Sequence, residues 1–367
     1  MTKINYGYFK AYAVGLGLMA LISSCSKDRN PSPTGAQPIA TLGLYEKDSS
    51  IDKRVYIPIS IVSAQPSIVY FSAFDTGSSG MTMDAHGLIP ASMITNSGIQ
   101  VAGDSVNVNG ITVTNSTGTL FYKGPGSGRA VYGNLAYAQI TIGDQNGRIT
   151  TRRIPFFLYY KSEEANTKTI EPIHSSDIFG VGPGVSFANS AIASPLSYFA
   201  SSNGTVSGFK LAKFSNAAFN LSGTYVSKLL TIGLVPADLS SSSGFIMHPL
   251  TYYPYGGYSP CISANVTYSN TTVSTAVLFD TSTPAISTIE NINASATLNA
   301  LPANTNIRIT TTSGFTYSYV TAGAGDITQV ANPSYTDDPR AIFSINFFTE
   351  NQYLVNYSTH QIGLKND

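Results

Sequence analysis

The stretch AFDTGSSGMTM, at Ala73–Met83, is repeated in altered form as LFDTSTPAIST at Leu278–Thr288. Each copy is an apolar run that leads into Asp-Thr, then small hydroxyl residues, then a second apolar stretch. Each is followed by an apolar pair that ends in a small residue, DIFGVG at Asp177–Gly182 and AIFSIN at Ala341–Asn346. This repetition predicts a duplicated lobe, with one Asp loop in each half of the chain.

The remaining sequence is typical of an all-β protein. Runs of β-branched and aromatic residues alternate with Gly, Asn, Ser and Pro clusters at intervals of about ten residues, as in sheets and barrels. Such runs occur at Val55–Val62, Ser67–Phe74, Gln139–Ile142, Ile154–Tyr160 and Ile307–Thr311. Only Pro195–Ala200 and Phe347–Tyr353 predict helices, and both are short.

Composition excludes several classes of protein. The 367 residues are 43% hydrophobic, which permits a large core and excludes a disordered chain. Twenty basic residues balance twenty acidic ones, without the Lys and Arg clusters that a nucleic-acid backbone requires. The four histidines and two cysteines form no metal-ligand motif, so we expect neither a metal nor a cofactor.

The N-terminus is typical of a bacterial lipoprotein. Lys3 and Lys10 flank the start of an apolar run at Ala11–Ile22, which is shorter than the roughly twenty residues that span a bilayer. The sequence LISSC that ends at Cys25 resembles a lipobox, in which the cysteine is acylated and becomes the new N-terminus.

This resemblance predicts a signal peptide over residues 1–24 and a flexible lipidated tether over residues 25–41. The membrane would then be contacted through the lipid anchor alone. Because Ser26 carries no obvious inner-membrane retention signal, we expect an outer-membrane lipoprotein of the cell envelope. Acylation of Cys25 would leave Cys261 unpaired.

Past the tether, the chain resembles the pepsin-like aspartic proteases. The elements that carry the resemblance follow one another in the order of that family. They are an opening hairpin with the Asp-Thr-Gly-Ser-Ser turn at Val55–Ser79, a flap hairpin at Phe121–Gly143, an apolar-apolar-Gly element at Ile178–Gly180, a strand at Leu230–Gly233, a second Asp loop at Asp280–Thr283 and a closing segment at Ile342–Leu364.

The resemblance implies a bilobal double β-barrel with pseudo-two-fold symmetry and a central cleft. The N-terminal lobe would comprise residues 42–205 and the C-terminal lobe residues 206–367. Both halves of the site would lie in one chain, so a monomer is expected. The substrate would be an extended polypeptide, cut without a cofactor.

Asp75 and Asp280 are the catalytic candidates. Two carboxyl groups within a few ångströms of each other cannot both ionise, so such a pair keeps one proton over a wide pH range. The ionised oxygen can then take a proton from water while the protonated one hydrogen-bonds the substrate carbonyl.

The resemblance also assigns supporting roles to the neighbours. Thr76 and Thr281 would link the two loops, and Ser78 and Thr283 would hold the outer carboxylate oxygens. Gly77 would permit close approach of the chain, with Ser282 at the matching position of the second loop. Tyr122 would be the flap tyrosine that closes over the substrate.

Three departures from the family pattern keep a second hypothesis open. Ser282 and Ser344 stand where the family has glycine, and Thr82 stands where a Trp usually supports the flap tyrosine. If the glycine positions require glycine-only dihedral angles, each serine would cost roughly 1–3 kcal/mol of strain. The chain is therefore either an aspartic endopeptidase or a catalytically impaired module that binds a peptide, glycan or partner protein in the cleft.

Overall fold

The structure of the protein, a computed structural model, describes residues 35–48, 53–64, 68–124, 127–199, 204–284, 286–295, 298–323 and 327–367. The chain from Ala36 to Asp367 forms one compact unit. The predicted signal peptide, Cys25 and most of the predicted tether lie outside the described residues. The first strand begins at Ala40, so the last two tether residues belong to it.

Strands dominate the described chain, as the sequence predicts. In the first half, they are β1 (Ala40–Asp48), β2 (Lys53–Ile61), β3 (Tyr70–Asp75), β4 (Ser79–Asp84), β5 (Ile94–Thr95), β6 (Gly98–Ile99), β7 (Ser105–Val108), β8 (Ile111–Gly124), β9 (Ser127–Asp144), β10 (Gly147–Glu164), β11 (Ile178–Val181), β12 (Val185–Ser186) and β13 (Asn189–Ala193).

The second half continues the pattern with shorter strands. They are β14 (Val206–Leu211), β15 (Thr224–Leu234), β16 (Ile246–Pro249), β17 (Tyr252–Tyr253), β18 (Gly257–Tyr258), β19 (Ile262–Tyr268), β20 (Thr271–Phe279), β21 (Ile286–Glu290), β22 (Asn299–Ala300), β23 (Asn306–Thr311), β24 (Thr316–Val320), β25 (Ile327–Ala331), β26 (Ala341–Phe343), β27 (Asn351–Asn356) and β28 (Gln361–Asn366).

Among the residues that the structure describes, helices are limited to single turns. Two are α-helical, α1 (Pro236–Leu239) and α2 (Pro333–Thr336), and four are 3₁₀ turns, at Ala91–Met93, Pro195–Tyr198, Ser241–Ser243 and Ile345–Thr349. The predicted helix at Pro195–Ala200 is found as the 3₁₀ turn Pro195–Tyr198. The one predicted at Phe347–Tyr353 is correct only for its first residues, which end the turn Ile345–Thr349, and is wrong from Asn351 onward, where β27 begins. No helix in the described part of the chain has the length and apolar character needed to cross a membrane.

Two large sheets organise these strands. A fourteen-stranded sheet runs in the order β16-β28-β27-β14-β15-β1-β2-β3-β11-β4-β10-β9-β8-β7, and an eight-stranded sheet in the order β22-β25-β21-β26-β20-β19-β23-β24. In the larger sheet, β1 pairs with β15 from the second half on one side and with β2 from the first half on the other. Backbone hydrogen bonds therefore join the two halves of the molecule.

Alternation of side chains along the strands builds the core. On β2, Val55, Ile57, Ile59 and Ile61 are all at most 3% exposed, because residues two apart point to the same face of a sheet. Burying each such side chain stabilises the fold by about 1.5–3 kcal/mol. These residues belong to one continuous apolar cluster that extends through both halves and supports the two Asp loops.

Candidate active site

The first Asp loop leaves the sheet at the end of β3, which is held on both sides. β3 pairs antiparallel with β2 and parallel with β11, with Phe74 opposite Phe179 and Asp75 opposite Gly180. The two phenylalanine rings are completely buried, and their centroids are 6.1 Å apart. Pairing on both edges therefore fixes the point at which the Asp75 side chain emerges.

Glycine is needed where β11 passes behind this loop. A Cβ atom on Gly180 would lie 2.5 Å from the carbonyl oxygen of Gly80 and 2.9 Å from the hydroxyl oxygen of Ser78. Gly80 itself has φ of +88°, in the left-handed region that favours glycine. A side chain at position 180 would push β11 away from the loop.

The second Asp loop is supported in a similar way by β20 and β26. These strands are parallel, and their pairing ends with Phe279 opposite Phe343. The N–H of Asp280 donates to the carbonyl oxygen of Phe343 at 2.9 Å. The ladder thus stops one residue earlier than in the first lobe, where Asp75 itself is paired.

Ser344 lies where the two strands behind the second loop have separated. Among the described residues β26 forms one pair with β21, whereas β11 forms four with β4. The N–H of Ser344 instead donates to the hydroxyl of Ser287 at 3.1 Å. A cavity of about 10 Å³ lies between these two serines and the aromatic rings of Tyr317, Tyr319, Phe343 and Phe347, with Asn346 at its side.

The backbone strain that glycine-only dihedral angles would cause at Ser282 and Ser344 is therefore absent. Ser344 has φ of −68°, and neither Ser344 nor Ser282 is among the residues with positive φ. The separation of β26 from β21 leaves room for the Ser344 side chain, so this position does not need the close approach that requires glycine in the first lobe.

Thr76 and Thr281 link the two loops across the interface of the lobes. The backbone N–H of each threonine donates to the hydroxyl of the other, at 3.1 Å in both directions. The Thr76 hydroxyl donates to the carbonyl of Phe279 at 2.9 Å, and the Thr281 hydroxyl to that of Phe74 at 2.6 Å. Both side chains are at most 1% exposed, so these hydrogen bonds hold the loops in one relative position.

The Asp75 carboxylate is held by three donors from its own loop. The N–H groups of Gly77 and Ser78 donate to Oδ1 at 2.7 and 3.1 Å, and the Ser78 hydroxyl donates to Oδ2 at 2.5 Å. Gly77 also lies close to the opposite acid, because a Cβ there would be 3.0 Å from Cγ of Asp280. The two loops thus meet at their carboxyl groups.

Asp280 is also held by three donor groups of its own loop, but the set differs from that of Asp75. The Ser282 N–H donates to Oδ1 at 2.9 Å and the Thr283 hydroxyl to Oδ2 at 2.6 Å. The Ser282 hydroxyl lies within hydrogen-bond distance of both carboxylate oxygens, at 2.9 and 3.1 Å. A glycine could not supply this last contact, so Ser282 adds a donor that Gly77 lacks.

The two aspartates form a buried, interacting pair. Asp75 is 4% exposed and Asp280 is 7% exposed, and the position of Gly77 against Cγ of Asp280 places the two acids at the same point between the loops. Burial raises the pKa of Asp75, and the negative charge of Asp280 raises it further, against the lowering effect of the hydrogen bonds from Ser78 and Gly77. A pair in this environment retains a proton at pH values where an exposed aspartate has lost it.

Tyr122 lies on the flap hairpin formed by β8 and β9. Its side chain is half-buried, and burial raises its pKa; the nearby Thr82 lowers that pKa, and the charge of Asp75 raises it. Thr82, which stands at the position of the expected Trp, therefore lies near the flap tyrosine, while its hydroxyl donates to the carbonyl of Ser176 at 2.5 Å.

Some residues around the site were not identified from the sequence. Ser287, which binds the N–H of Ser344, lies on β21 without any recognisable motif. Arg129 lies opposite Tyr122 on the flap. No sequence motif marks this pairing, because it depends on the register of β8 against β9.

The described residues contain no group of three or more His, Cys, Asp or Glu side chains that could hold a metal ion. The site itself offers the carboxyl pair and its hydrogen-bond donors. Cys25, the predicted lipidation site, lies outside the described residues.

Similarity to known proteins was found at the level of structure. No protein-family model and no curated protein sequence matches the chain. The crystal structure of an aspartic proteinase from Irpex lacteus matches with a TM-score of 0.55 and 15% identity, over 88% of this chain and 96% of that one. The chain has the pepsin-like fold.

A second pepsin-like structure matches equally well. Basic 7S globulin from soybean gives a TM-score of 0.55 with 10% identity, over 90% of this chain and 97% of the globulin. One of the two similar structures is named as a proteinase and the other as a globulin. The all-β, pepsin-like architecture expected from the sequence is confirmed, and the activity has to be argued from the site.

Proposed function

We propose that the chain is an aspartic endopeptidase that hydrolyses extended polypeptides. The observation that carries this proposal is the pair formed by Asp75 and Asp280 where the two loops meet, both buried and each held by donors from its own loop. Two carboxyl groups that share one proton provide a base and an acid side by side, as hydrolysis by activated water requires.

The reaction follows from this shared proton. A water molecule between the carboxyl groups gives a proton to the ionised carboxylate while its oxygen forms a bond to the carbonyl carbon of the substrate. The protonated carboxyl donates to the carbonyl oxygen, which becomes a hydroxyl of the tetrahedral intermediate. Transfer of a proton to the amide nitrogen then breaks the C–N bond and releases a carboxylic acid and an amine.

The surrounding residues keep both carboxyl groups in position during these steps. The paired threonines fix one loop against the other, and Ser78 and Thr283 hold the outer oxygens. Tyr122 would close over a peptide lying in the cleft, which fits an extended chain gripped through its backbone. Preorganised donors of this kind need no rearrangement as charge shifts during the reaction.

Cleavage of a peptide library by the full-length chain between pH 3 and 7 tests the proposal. We expect cleavage that pepstatin blocks and that falls at least about a hundredfold in Asp75→Asn and in Asp280→Asn, because each removes one member of the acid–base pair. Asp104→Asn, a change at an exposed aspartate, serves as the matched control and should retain activity. Absence of cleavage by a folded sample throughout this pH range would refute the proposal.

The similarity to basic 7S globulin favours one alternative, a binding module that retains the cleft without turnover. In that case pepstatin or peptides would bind to the wild-type chain, and no product would form at any pH. A calorimetric titration with pepstatin beside the cleavage assay therefore separates an enzyme from a binding protein.

We also propose that a lipid on Cys25 anchors the protein at the cell envelope. Labelling of expressing cells with an alkyne analogue of palmitate should mark the wild-type protein and leave Cys25→Ala unmarked. Cys261→Ala is the matched control and should remain labelled. Equal labelling of all three proteins would contradict the anchor.

A further inference from the structure

The flap is a three-stranded structure almost to its tip. β9 pairs with β8 on one edge, from Thr112–Tyr137 to Gly124–Ser127, and with β10 on the other, out to Arg129–Glu164. One residue beyond that pair, the N–H of Ala165 donates to the carbonyl of Gly128 at 2.7 Å. Because β10 is paired with β9 up to this point, contacts that fix the end of β10 also fix the flap.

The chain that follows β10 turns back along it and then enters the strand behind Asp75. We call residues 170–177 the strap. Its start is held against β10, because Ile170 forms a bridge with Glu163 and the Glu171 N–H donates to the carbonyl of Ser162 at 2.9 Å. At its end, the carbonyl of Asp177 accepts a hydrogen bond from the N–H of Ala73 on β3 at 3.0 Å.

Two consecutive carbonyl groups of the strap connect it to the flap tyrosine. Arg129 donates through Nη1 to the carbonyl of Ser175 at 2.7 Å, and the Thr82 hydroxyl donates to the carbonyl of Ser176 at 2.5 Å. Arg129 lies directly opposite Tyr122 in the hairpin. Thr82 lies near enough to the Tyr122 hydroxyl to lower its pKa, and it also accepts a hydrogen bond from the N–H of Ile178, just past the strap, at 3.2 Å. The strap thus holds the tyrosine through its cross-strand neighbour and fixes the threonine that lies near its hydroxyl group.

The cation of Arg129 is also matched by a nearby carboxylate. Its Nη2 lies 3.5 Å from an Oε of Glu171, at the other end of the strap. The guanidinium group, with several donors in one plane, can reach a backbone carbonyl and a carboxylate at once, which a single ammonium group does less well. This geometry explains why an arginine suits position 129.

We propose that Arg129 is a positioning residue that keeps the flap tyrosine over the carboxyl pair by tying the flap to the strap. The inference rests on the proposed peptidase function for its consequence in catalysis. Loss of the tie lets Tyr122 move away from the cleft while the Asp loops, which are held by their own hydrogen bonds, stay in position. Substrate and inhibitor are then held less tightly.

A tryptophan on the flap provides the test, because the chain contains none. In Phe121→Trp, made in the full-length chain, the indole replaces a ring that is 63% exposed on β8. It is the single indole fluorophore, and its quenching by acrylamide measures how accessible this part of the flap is to solvent. Arg129→Met and Arg129→Lys are compared in this background, with Arg148→Met, a change at an exposed arginine of β10, as the matched control.

We expect Arg129→Met to change the quenching constant and to weaken pepstatin binding about tenfold, as loss of a charge-assisted hydrogen bond predicts. KM should rise more than kcat falls, because the carboxyl pair is untouched. Arg129→Lys should recover part of both effects, since it restores one donor, and Arg148→Met should match the Phe121→Trp parent.

Unchanged quenching in Arg129→Met, or an equal change in Arg148→Met, would overturn the inference. So would a fall in kcat as large as that of Asp75→Asn with KM unaffected. If the parent protein neither cleaves peptides nor binds pepstatin, the proposed function fails, and the quenching comparison still decides whether Arg129 positions the flap.

Discussion

The hydrogen bonds between Thr76 and Thr281 can be removed with little change in volume. Thr281 is 1% exposed, its hydroxyl donates to the Phe74 carbonyl, and it accepts the N–H of Thr76. In Thr281→Val both backbone groups lose this partner in buried surroundings. Each buried group that loses its partner costs about 1–3 kcal/mol, so we expect the free energy of unfolding to fall by roughly 2–6 kcal/mol.

Urea unfolding of the full-length chain measures this loss, and a second buried threonine provides the comparison. Thr151 is 2% exposed, and its hydroxyl bonds the N–H and carbonyl of Ile140, within one sheet. Thr151→Val should lose comparable stability. Because Thr281, unlike Thr151, connects the two Asp loops, Thr281→Val should also lower peptide cleavage, by up to about a hundredfold if a carboxyl group shifts by 1 Å.

Thr281→Ser restores the hydroxyl and should recover most of the stability and the cleavage. The reasoning would be refuted if Thr281→Val lost less than about 1 kcal/mol of unfolding free energy, the lower limit for a single unpaired buried group. It would also be refuted if Thr151→Val reduced cleavage as much as Thr281→Val at matched stability.

Three further outcomes are expected. Ser282→Gly should keep cleavage within about tenfold of wild type, because the backbone N–H at 282 still binds Asp280, and a loss above about a hundredfold would contradict this. Burial raises the pKa of the Glu46 carboxyl group from 4.5 to about 7, so the folded state keeps a proton there that the unfolded state loses. The free energy of unfolding should therefore fall by about 3 kcal/mol as pH rises between these two values. Glu46→Gln should abolish that fall in urea unfolding. The hydrogen bond to Asp177 raises the pKa of His174, which also faces the charge of Asp84 and the ring of Tyr70, so its contribution to stability should be present at acid pH and lost above its folded pKa. His174→Asn should remove this dependence, and an NMR titration of the His174 ring at or below its ordinary pKa would disprove it.

The two Asp loops could be predicted from the sequence because their chemistry is carried by side chains in a short, ordered pattern. Thr76 and Thr281 lie where the resemblance implied, and so do Ser78 and Thr283. The consequence of Ser344 could not be predicted in this way. It depends on how far β26 separates from β21, which is a property of backbone pairing rather than of residue type.

The contacts between the flap and the strap could not be predicted from the sequence either, for a related reason. Arg129 and Thr82 donate to backbone carbonyl groups of the strap, which every residue carries, so no sequence motif marks these two contacts. Glu46 is a different case. It follows Leu42 and Leu44 at alternate positions of β1, and that period of two indicates a buried face for all three residues.

The bridging position of β1 has a consequence for attempts to divide the molecule. If the two halves were produced as separate polypeptides, the first would present the edge of β1 that normally binds β15, and the second would present the matching edge of β15. Open edges of this length are templates for intermolecular pairing. Co-expressed fragments should therefore reassemble by pairing β1 with β15, whereas either fragment alone should aggregate.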